Sequence, residues 1–429
     1  MIDLQLPKTK ADIARIQRER KPIALRNARK APFYKGKLDH IREDRLDDPE
    51  EWAKIPIVDK ETLRGIADDH TAGQFCIAKP EEIAEYWRSG GATGVPLFYP
   101  RTFTDMQYAY LQLARCWACA GVHAGDLCHM SLPLGVHPAG QLWARSANLA
   151  DVGVIWVGSG ANTPSVVQLE LIQRLKPTIW MGMPSYGLHL ANLAEAQGID
   201  LANSRVRKVL VGAEALSDAK REKLERMWGA EVHDLFGMTE IGILGGDSHL
   251  HAGFHIWTDQ ALFEVVDQTT GLPVGEGKEG LMVITPLFTN NATTFLRWSS
   301  GDIVSIRALE GDAGPFSVFP VMRHAHRTTG FFKIRGVNIN HAELEDFMFR
   351  IPVVNDFKVE LITVADREVL KLMVEIKRDA EAARVSGRIA EEVRAAFEVR
   401  PEVEVLPIGT LAKEFEASVK APRFLDRRT

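Results

Sequence analysis

The stretch Ser89-Gly90-Gly91-Ala92-Thr93-Gly94-Val95-Pro96 places three glycines and two hydroxyl side chains within eight positions. A backbone this bare can turn its N–H groups inward and approach an anion closely, and phosphate suits such a loop. The pattern is not GxxxxGK[ST], because no lysine follows the last glycine, and it is not GxGxxG. Taken alone, the stretch fits an ordinary glycine-rich turn between two strands equally well, so its meaning depends on the rest of the chain.

The composition is that of a globular protein with an ample core. The chain has 429 residues, of which 45% are hydrophobic and 25% charged, with a formal net charge of −5. This length predicts about two to three domains. Because no basic face dominates, we expect no nucleic-acid partner. Residues 1–21 lack the apolar segment of a signal peptide, and no apolar run is long enough to span a membrane, so we expect no membrane association.

Cys116 and Cys119 form a CxxC pair, which invites a redox or zinc interpretation. The surrounding segment, residues 108–120, is apolar with a helical rhythm, and no second CxxC follows. We therefore predict buried helix cysteines. This cysteine usage fits a reducing compartment, and we expect a cytoplasmic protein.

Short apolar runs alternate with helical segments between residues 152 and 236. This alternation predicts βαβ units and a parallel sheet. The predicted N-caps of three successive helices are Thr163, Ser185 and Ser217.

The rhythm changes to strands and turns over residues 253–305, which predicts a smaller β subdomain. Beyond residue 329 we predict a compact α+β unit in which residues 359–364 and 370–376 pair as a hairpin. The fold class is therefore α/β. A large N-terminal domain of α/β layers plus the small β subdomain covers residues 1–328, and a small α+β C-terminal domain covers residues 329–429.

The segment Phe236-Gly237-Met238-Thr239-Glu240 ends a predicted strand, which is where α/β sheets place ligands. Phe236 offers a ring for stacking, Thr239 a hydroxyl, and Glu240 a hard oxygen ligand suited to Mg²⁺ held against phosphates. The alternative is a strand-end turn with a solvated glutamate.

Two further turns and the tail carry candidate groups. Gly212-Ala213-Glu214 ends another strand, and its small residues permit a flat ligand to approach. Asp302 lies in a tight turn, where it bonds its own backbone or takes two ribose hydroxyls. The tail around Lys420 is either a solvated basic terminus or a functional segment.

These motifs, in this order, resemble those of the adenylate-forming superfamily, and over essentially its whole length the chain is most similar to the phenylacetate–CoA ligase family. The stretch 89–96 resembles the family's Ser-Gly-Thr-Thr-Gly-x-Pro loop, and 236–240 its Tyr-Gly-x-Thr-Glu motif. Residues 298–302 resemble Tyr-Arg-Thr-Gly-Asp, although Arg297 stands one place early and Ser299 occupies the adjoining position. Residues 335–339 are nearly the subfamily's Arg-Gly-Val-Asn-Val.

The resemblance implies roles for individual residues. Thr239 would contact phosphate, Glu240 would hold Mg²⁺, and Lys420 matches the swinging C-terminal lysine. The other nucleotide-binding residues would be Ser89, Gly90, Thr93, Gly94, Gly212, Ala213, Glu214, Phe236, Gly237, Met238, Asp302 and Arg327. The acyl pocket would include His137, Gly182, Pro184 and Tyr186, and its aromatic and small residues favour a flat aryl or arylacetic acid.

The implied activity is an AMP-forming ligase of aromatic acid degradation, which uses ATP, Mg²⁺ and coenzyme A and passes through an acyl-adenylate. One alternative keeps the adenylation but changes the acceptor to a carrier protein, an amine or a hydroxylated cofactor. A second is a nucleotide-binding regulatory protein without catalysis. A homodimer is left open.

The chain also departs from the family. Thr329 occupies a hinge position where aspartate is common. Some relatives bind structural zinc through cysteines before the hinge, but no cysteine follows Cys128 here. We expect the histidines in this region to be surface or core residues, and metal binding by them is left open. These histidines are His249, His251, His255, His324 and His326.

Overall fold

A computed structural model of the chain describes residues 3–66, 71–89, 97–309, 314–327, 331–364, 367–378, 380–411, 413 and 423–428. Within these ranges, no helix is both long enough and apolar enough to cross a bilayer. The helices are α1 (Lys10–Lys30), α2 (Pro49–Ala53), α3 (Lys60–Ile66), α4 (Thr71–Phe75), α5 (Phe103–Cys119), α6 (Ala139–Leu149), α7 (Ser165–Leu175), α8 (Pro184–Ala196), α9 (Asp218–Trp228), α10 (His341–Arg350) and α11 (Ala382–Phe397).

The strands of the described chain are numbered in chain order. They are β1 (Val58–Asp59), β2 (Ile83–Arg88), β3 (Phe98–Thr102), β4 (Leu127–Met130), β5 (Gly153–Trp156), β6 (Ile179–Gly182), β7 (Lys208–Gly212), β8 (Glu231–Met238), β9 (Gly242–Asp247), β10 (Phe254–Ile256), β11 (Ala261–Val266), β12 (Gly280–Pro286), β13 (Trp298–Ser299), β14 (Asp302–Arg307), β15 (Val321–Arg327), β16 (Phe331–Ile334), β17 (Val337–Asn340), β18 (Val354–Val364), β19 (Arg367–Ile376), β20 (Glu402–Leu406) and β21 (Phe424–Asp426).

The chain divides into two compact units, each assembled from separate segments. Unit 1 comprises Met1–Asp126, Leu134–Gly153 and His233–Thr328, and unit 2 comprises Leu127–Pro133, Val154–Val232 and Thr329–Thr429. The sequence-based domains, 1–328 and 329–429, stay a prediction.

In unit 1 the strands lie in the order β1-β13-β12-β14-β15-β10-β9-β8, with β11 also paired to β12. Most neighbours are antiparallel, and β8 and β9 form a hairpin in which Leu235 lies opposite Gly246. The β subdomain expected over residues 253–305 corresponds to strands β10 to β14. In the last part of this segment, strand β13 is only two residues long, Trp298 and Ser299. The hairpin is the element that positions the site described below.

Unit 2 contains the parallel sheet expected from the alternating pattern, with strand order β7-β6-β4-β5. The pairs β4–β6 and β6–β7 are parallel. All four residues of β6 are buried, as expected for an apolar strand covered on both faces. The βαβ prediction is therefore confirmed.

The predicted caps have a mixed outcome. Ser217 caps α9, and Gly229 ends that helix in the left-handed conformation, as predicted. The Thr163 cap is wrong, because α7 begins after Pro164 and the Thr163 hydroxyl donates instead to the Val157 carbonyl. The Ser185 cap is also wrong, because α8 already begins at Pro184, whose fixed φ suits a first helical position.

The C-terminal part of unit 2 is an α+β structure. Strands β18 and β19 form the predicted antiparallel hairpin, with Val359 opposite Leu372. Strand β20 adds to β19 and β21 adds to β18, each in parallel. Together with α10 and α11, this arrangement confirms the predicted α/β fold with a smaller α+β part at the C-terminus.

The CxxC cysteines are buried in α5, as predicted. The Cys116 thiol lies 3.4 Å from the Gly245 carbonyl, and the Cys119 thiol 3.6 Å from that of Gly246. Burial raises the pKa of the Cys116 thiol well above its usual range. All four cysteines are described, and none of them forms a disulfide. Cys116 and Cys119 pack α5 against β9.

Candidate functional site

The turn after β8 carries Thr239 and Glu240, and a buried arginine holds its backbone. The Arg101 guanidinium donates to the carbonyl oxygens of Thr239 at 3.1 Å and Glu240 at 2.6 Å. It also donates to the Thr289 carbonyl at 3.3 Å, and its carbon lies 4.5 Å from the Trp87 ring centre. Arg101 is only 1% exposed. Its hydrogen bonds are therefore strong and the turn is fixed.

One phenol connects two of the predicted site residues. The side chains of Ser89 and Glu240 both lie close enough to the Tyr99 hydroxyl to interact with it electrostatically. Burial, and then the neighbouring Glu240 carboxylate, raise the pKa of Tyr99 well above its usual range. Tyr99 therefore stays a neutral donor between a hydroxyl and a carboxylate. The structure thus brings Ser89 and Glu240 together, although they are far apart in sequence.

Ser89 closes the neck of the predicted phosphate loop. Its backbone N–H donates to the Leu97 carbonyl at 3.0 Å, and its side-chain oxygen accepts from the Leu97 N–H at 3.2 Å. Residues 90–96 lie outside the described residues, as does Lys420. The predictions for Gly90, Thr93, Gly94 and Lys420 therefore stay predictions.

Asp302 begins β14 and is 2% exposed. One of its carboxylate oxygens lies 2.9 Å from the His324 Nε2 atom, and the other accepts from the Ser300 hydroxyl. The backbone of Arg327 on β15 lies opposite Asp302, whereas the Arg327 side chain lies outside the described residues. Asp302 is therefore held by cross-strand partners, and its place beside a ribose stays a prediction.

The residues that lead into the turn are packed closely in the hairpin. The Phe236 ring packs against Phe254, with 5.4 Å between ring centres. A Cβ on Gly237 would lie 2.8 Å from the Gly242 carbonyl oxygen, which explains the glycine at that position. Met238 is half-buried beside it.

Arg297, the residue immediately before the motif at residues 298–302, has a structural role. Its guanidinium donates to the carbonyls of Ala53, Ile55 and Gly271, and it forms an ion pair with Glu264. It is 1% exposed and adopts a φ of +46°. These contacts are inside unit 1, so Arg297 is not a ligand-binding residue in this arrangement.

In unit 2, Glu214 follows β7 and reaches the first turn of α8. Its carboxylate accepts from the Ser185 N–H at 3.1 Å and from the Ser185 hydroxyl at 2.7 Å. Ala213 before it adopts a left-handed φ of +68°. The turn Gly212 to Glu214 and the start of α8 therefore form one connected surface.

The predicted acyl-pocket residues Gly182, Pro184 and Tyr186 lie at this same place, on β6 and α8. A Cβ on Gly182 would lie 2.5 Å from the ring of Trp180. The Tyr186 hydroxyl lies 3.0 Å from the Ser165 hydroxyl, to which His189 also contributes a contact at 3.0 Å. The Trp180 and Tyr186 rings are therefore buried beside each other and next to the Ser165 hydroxyl and the His189 imidazole.

His137 belongs to unit 1, where its Nδ1 atom accepts from the Ala139 N–H at 3.4 Å. The loop that carries it is joined to the end of β2, because the Arg88 N–H donates to the Val136 carbonyl at 3.3 Å. Its membership of the acyl pocket stays a prediction.

Sequence reasoning missed Tyr99 and Arg101. They lie two residues apart on β3, and therefore on the same face of the strand. A tyrosine and an arginine in the strand after a glycine-rich loop were the available signal, but the sequence does not show that the arginine is buried.

The turn after β8 carries the buried carboxylate of Glu240 and the hydroxyl of Thr239, and Ser89 adds a second hydroxyl beside the glycine-rich segment. An α/β protein with such groups at its strand ends is suited to nucleotide phosphates. Residues 37–286 match the sequence model of the family described as "AMP-binding enzyme". The chain belongs to that family, and the predicted resemblance is confirmed.

Relatives cover nearly the whole chain. The chain is 28% identical to the phenylacetate-coenzyme A ligase of Pseudomonas putida, over 92% of this chain and 90% of the relative. It is 27% identical to the ligase of the same name from Thermus thermophilus, over 99% of this chain and 98% of the relative. Among solved structures, a 2-hydroxyisobutyryl-CoA ligase in complex with an acyl-AMP has the same fold, with a TM-score of 0.84 and 21% identity over 99% of this chain and 95% of that chain.

Proposed function

We propose that this protein is an AMP-forming acyl–CoA ligase that activates an aromatic or arylacetic carboxylate. The observation that carries the proposal is the convergence of Ser89, Tyr99 and Glu240 at a turn fixed by Arg101. The reaction class agrees with the relatives over nearly the whole chain, which are named phenylacetate-coenzyme A ligases.

The chemistry follows from the substrate. A carboxylate is a poor electrophile, so one of its oxygens first attacks the α-phosphorus of ATP, and pyrophosphate leaves. This step needs alignment and charge stabilisation rather than acid–base catalysis. In the second step the sulfur of coenzyme A attacks the acyl carbon, AMP leaves, and the thiol proton is lost.

The residues present fit a magnesium ion. Mg²⁺ prefers oxygen ligands and usually takes one or two carboxylates together with substrate phosphates. Glu240 is a carboxylate of this kind, 6% exposed and beside the hydroxyl of Tyr99. When bound, the ion would neutralise phosphate charge. Thr239 and Ser89 would contribute hydroxyl donors, and Asp302 would bind the ribose.

The aromatic substrate is supported by the composition of unit 2. The Trp180 and Tyr186 rings pack beside each other with 6.5 Å between their centres, and a Cβ on Gly182 would meet the Trp180 ring. The Ser165 hydroxyl links the Tyr186 hydroxyl to the His189 imidazole. Such a surface suits the uncharged end of an aryl acid.

We assign residues 329–429 as a mobile domain that carries Lys420 into the site for the first step and withdraws it for the second. In the present arrangement α10 contacts α9 through polar groups, and these contacts would break as the domain moves. Lys220 lies 2.8 Å from Glu345, and the Ala219 N–H donates to Asp346 at 3.2 Å.

The substrate is tested with a panel of aromatic, arylacetic and aliphatic carboxylates, with AMP release measured in the presence and absence of coenzyme A. We expect AMP release that depends on both an aryl acid and coenzyme A. Pyrophosphate exchange without any CoA thioester would favour the alternative acceptors. ATP binding without AMP release from any acid would favour the regulatory protein.

The role of Lys420 is tested by separating the two half-reactions. We expect Lys420→Ala to lower acid-dependent pyrophosphate exchange by at least about 100-fold, because charge stabilisation at phosphate is lost. Thioester formation from supplied acyl-adenylate is expected to stay within a few-fold of the unsubstituted protein. Equal loss of both half-reactions would contradict the assignment.

A cytoplasmic location is part of the proposal, supported by four cysteines without a disulfide. The homodimer that the sequence leaves open is tested by light scattering on the full chain.

A further inference from the structure

Three metal-ligating side chains converge at the base of the β8–β9 hairpin, away from its turn. His233 lies on β8, Asp247 is the last residue of β9, and His251 follows four residues later. One potential ligand atom from each lies within 4.8 Å of the other two. The Nδ1 atom of His251 is 2.7 Å from Oδ2 of Asp247, and the two imidazole ring centres are 5.4 Å apart.

The cluster is largely removed from solvent. His233 is 0% exposed and Asp247 is 2% exposed, whereas the His251 side chain is 28% exposed. A buried carboxylate is costly unless a cation compensates its charge. His251 adopts a left-handed φ of +46°, which is uncommon for a residue other than glycine.

We propose that His233, Asp247 and His251 bind a divalent transition-metal ion, and that Zn²⁺ is the best match. Two imidazole nitrogens and one carboxylate oxygen are borderline-soft donors that suit zinc, whereas Mg²⁺ and Ca²⁺ take oxygen ligands. Ligands at zinc bond lengths are about 3.4 Å apart in a tetrahedron. The observed contact of 2.7 Å and the limit of 4.8 Å lie on either side of that spacing, so small side-chain movements suffice.

The location indicates a structural ion. Leu235 of β8 pairs with Gly246 of β9, and the three ligands lie just beyond this pair, on the side opposite Glu240. The ion would fasten the two strands of the hairpin. This site is separate from the magnesium proposed at Glu240, and it does not depend on the proposed function.

Of the histidines noted in the sequence, only His251 belongs to this cluster. His255 contacts the Ser248 hydroxyl at 3.2 Å, and His324 contacts Asp302. His249 is exposed, and the side chain of His326 lies outside the described residues.

The test uses the full chain without a histidine tag, treated with chelator and then dialysed. Zn²⁺ is titrated by calorimetry, and Co²⁺ is titrated by visible absorption, which reports the coordination geometry. His251→Asn removes one ligand, and asparagine tolerates the left-handed backbone at that position. His249→Asn is the matched control, because it removes an exposed imidazole from the same turn.

We expect one equivalent of metal to bind the unsubstituted chain and the His249→Asn control. In His251→Asn we expect affinity to fall by more than the roughly 10–100-fold typical of losing an outer-shell partner. Added Zn²⁺ should raise the melting temperature of the first two proteins but not of His251→Asn.

Equal metal binding by the unsubstituted chain and His251→Asn would overturn the proposal, as would the absence of stoichiometric binding to the unsubstituted chain. If His251→Asn does not fold by circular dichroism, Asp247→Asn serves as the second variant, because it keeps the side-chain shape and removes the charged ligand.

Discussion

Two glutamates end successive strands of this protein, and their surroundings give them different tasks. Glu214, after β7 in unit 2, accepts two hydrogen bonds from Ser185 and thereby fastens the start of α8. Glu240, after β8 in unit 1, lies beside the Tyr99 hydroxyl while its own backbone is held by Arg101. The first carboxylate stabilises a helix, and the second is the one that we propose binds a ligand at the turn.

The two turns also differ in the side chains that support them. The unit 1 turn is supported by a buried guanidinium, which donates to its carbonyl oxygens, and by a phenol. The unit 2 turn is supported by close packing of Trp180 on Gly182 and by the hydrogen bond between the Tyr186 and Ser165 hydroxyls. Substitutions near the first should therefore alter catalysis, whereas substitutions near the second should alter stability and substrate choice.

The largest expected effect is that of Arg101→Met, which removes the donor to three carbonyl oxygens. We expect acid-dependent adenylation to fall by at least about 100-fold in kcat/KM, because each hydrogen bond to a charged donor contributes about 1.5–3 kcal/mol. Pyrophosphate exchange at varied ATP concentration measures it.

The control for Arg101→Met is Arg145→Met, which removes an arginine that is 44% exposed and paired with Glu85 in the same unit. We expect the control to stay within a few-fold of the unsubstituted rate. Arg101→Lys should restore part of the activity. Full activity in Arg101→Met would contradict the positioning role.

Gly182→Ala tests the packed turn of unit 2. The added methyl would meet the Trp180 ring at 2.5 Å, so we expect a cost of about 1–3 kcal/mol in the free energy of unfolding. Selectivity among aryl acids should shift more than the rate with ATP. Denaturant unfolding and the acid panel measure the two effects.

The matched control is Gly387→Ala in α11 of the same unit, where a methyl meets nothing within 4 Å. Alanine favours the helix, so a gain of about 0.5–1 kcal/mol is expected. Equal destabilisation by both substitutions would show that the Trp180 contact is not the cause.

The smallest expected effect is on the pH dependence of the free energy of unfolding, through a buried histidine of unit 2. His129 on β4 contacts Gln168 at 3.2 Å, and burial lowers its pKa to about 4. His129 therefore takes up a proton near pH 6.5 in the unfolded chain but only near pH 4 in the folded chain. Stability from this group is complete above pH 6.5 and falls as the pH approaches 4.

We expect a loss of about 1 kcal/mol between pH 7.5 and pH 5.5 from this histidine. His129→Gln should flatten that part of the pH profile of unfolding. An unchanged slope in the variant would assign the pH dependence to other groups.

The sequence predicted the alternation of strands and helices, the C-terminal hairpin and the strand-end positions of Glu240 and Glu214, because periodicity and small residues mark these features locally. It could not predict the role of Arg101, whose partners are backbone carbonyls more than a hundred residues away. Every residue type has such a carbonyl, so the sequence does not mark these partners. The sequence also did not show that Glu214 stabilises the start of α8. His233 escaped notice because its partners, Asp247 and His251, approach it only through the pairing of β8 with β9.

The most direct test compares the two glutamates in one assay, acid-dependent pyrophosphate exchange without coenzyme A. We predict exchange in the unsubstituted chain only when an aryl carboxylate is present. Glu240→Gln should lower it by at least about 100-fold, and Glu214→Gln should leave it within about 10-fold while costing stability. Exchange at the unsubstituted rate in Glu240→Gln, or an equal loss in both variants, would contradict the account.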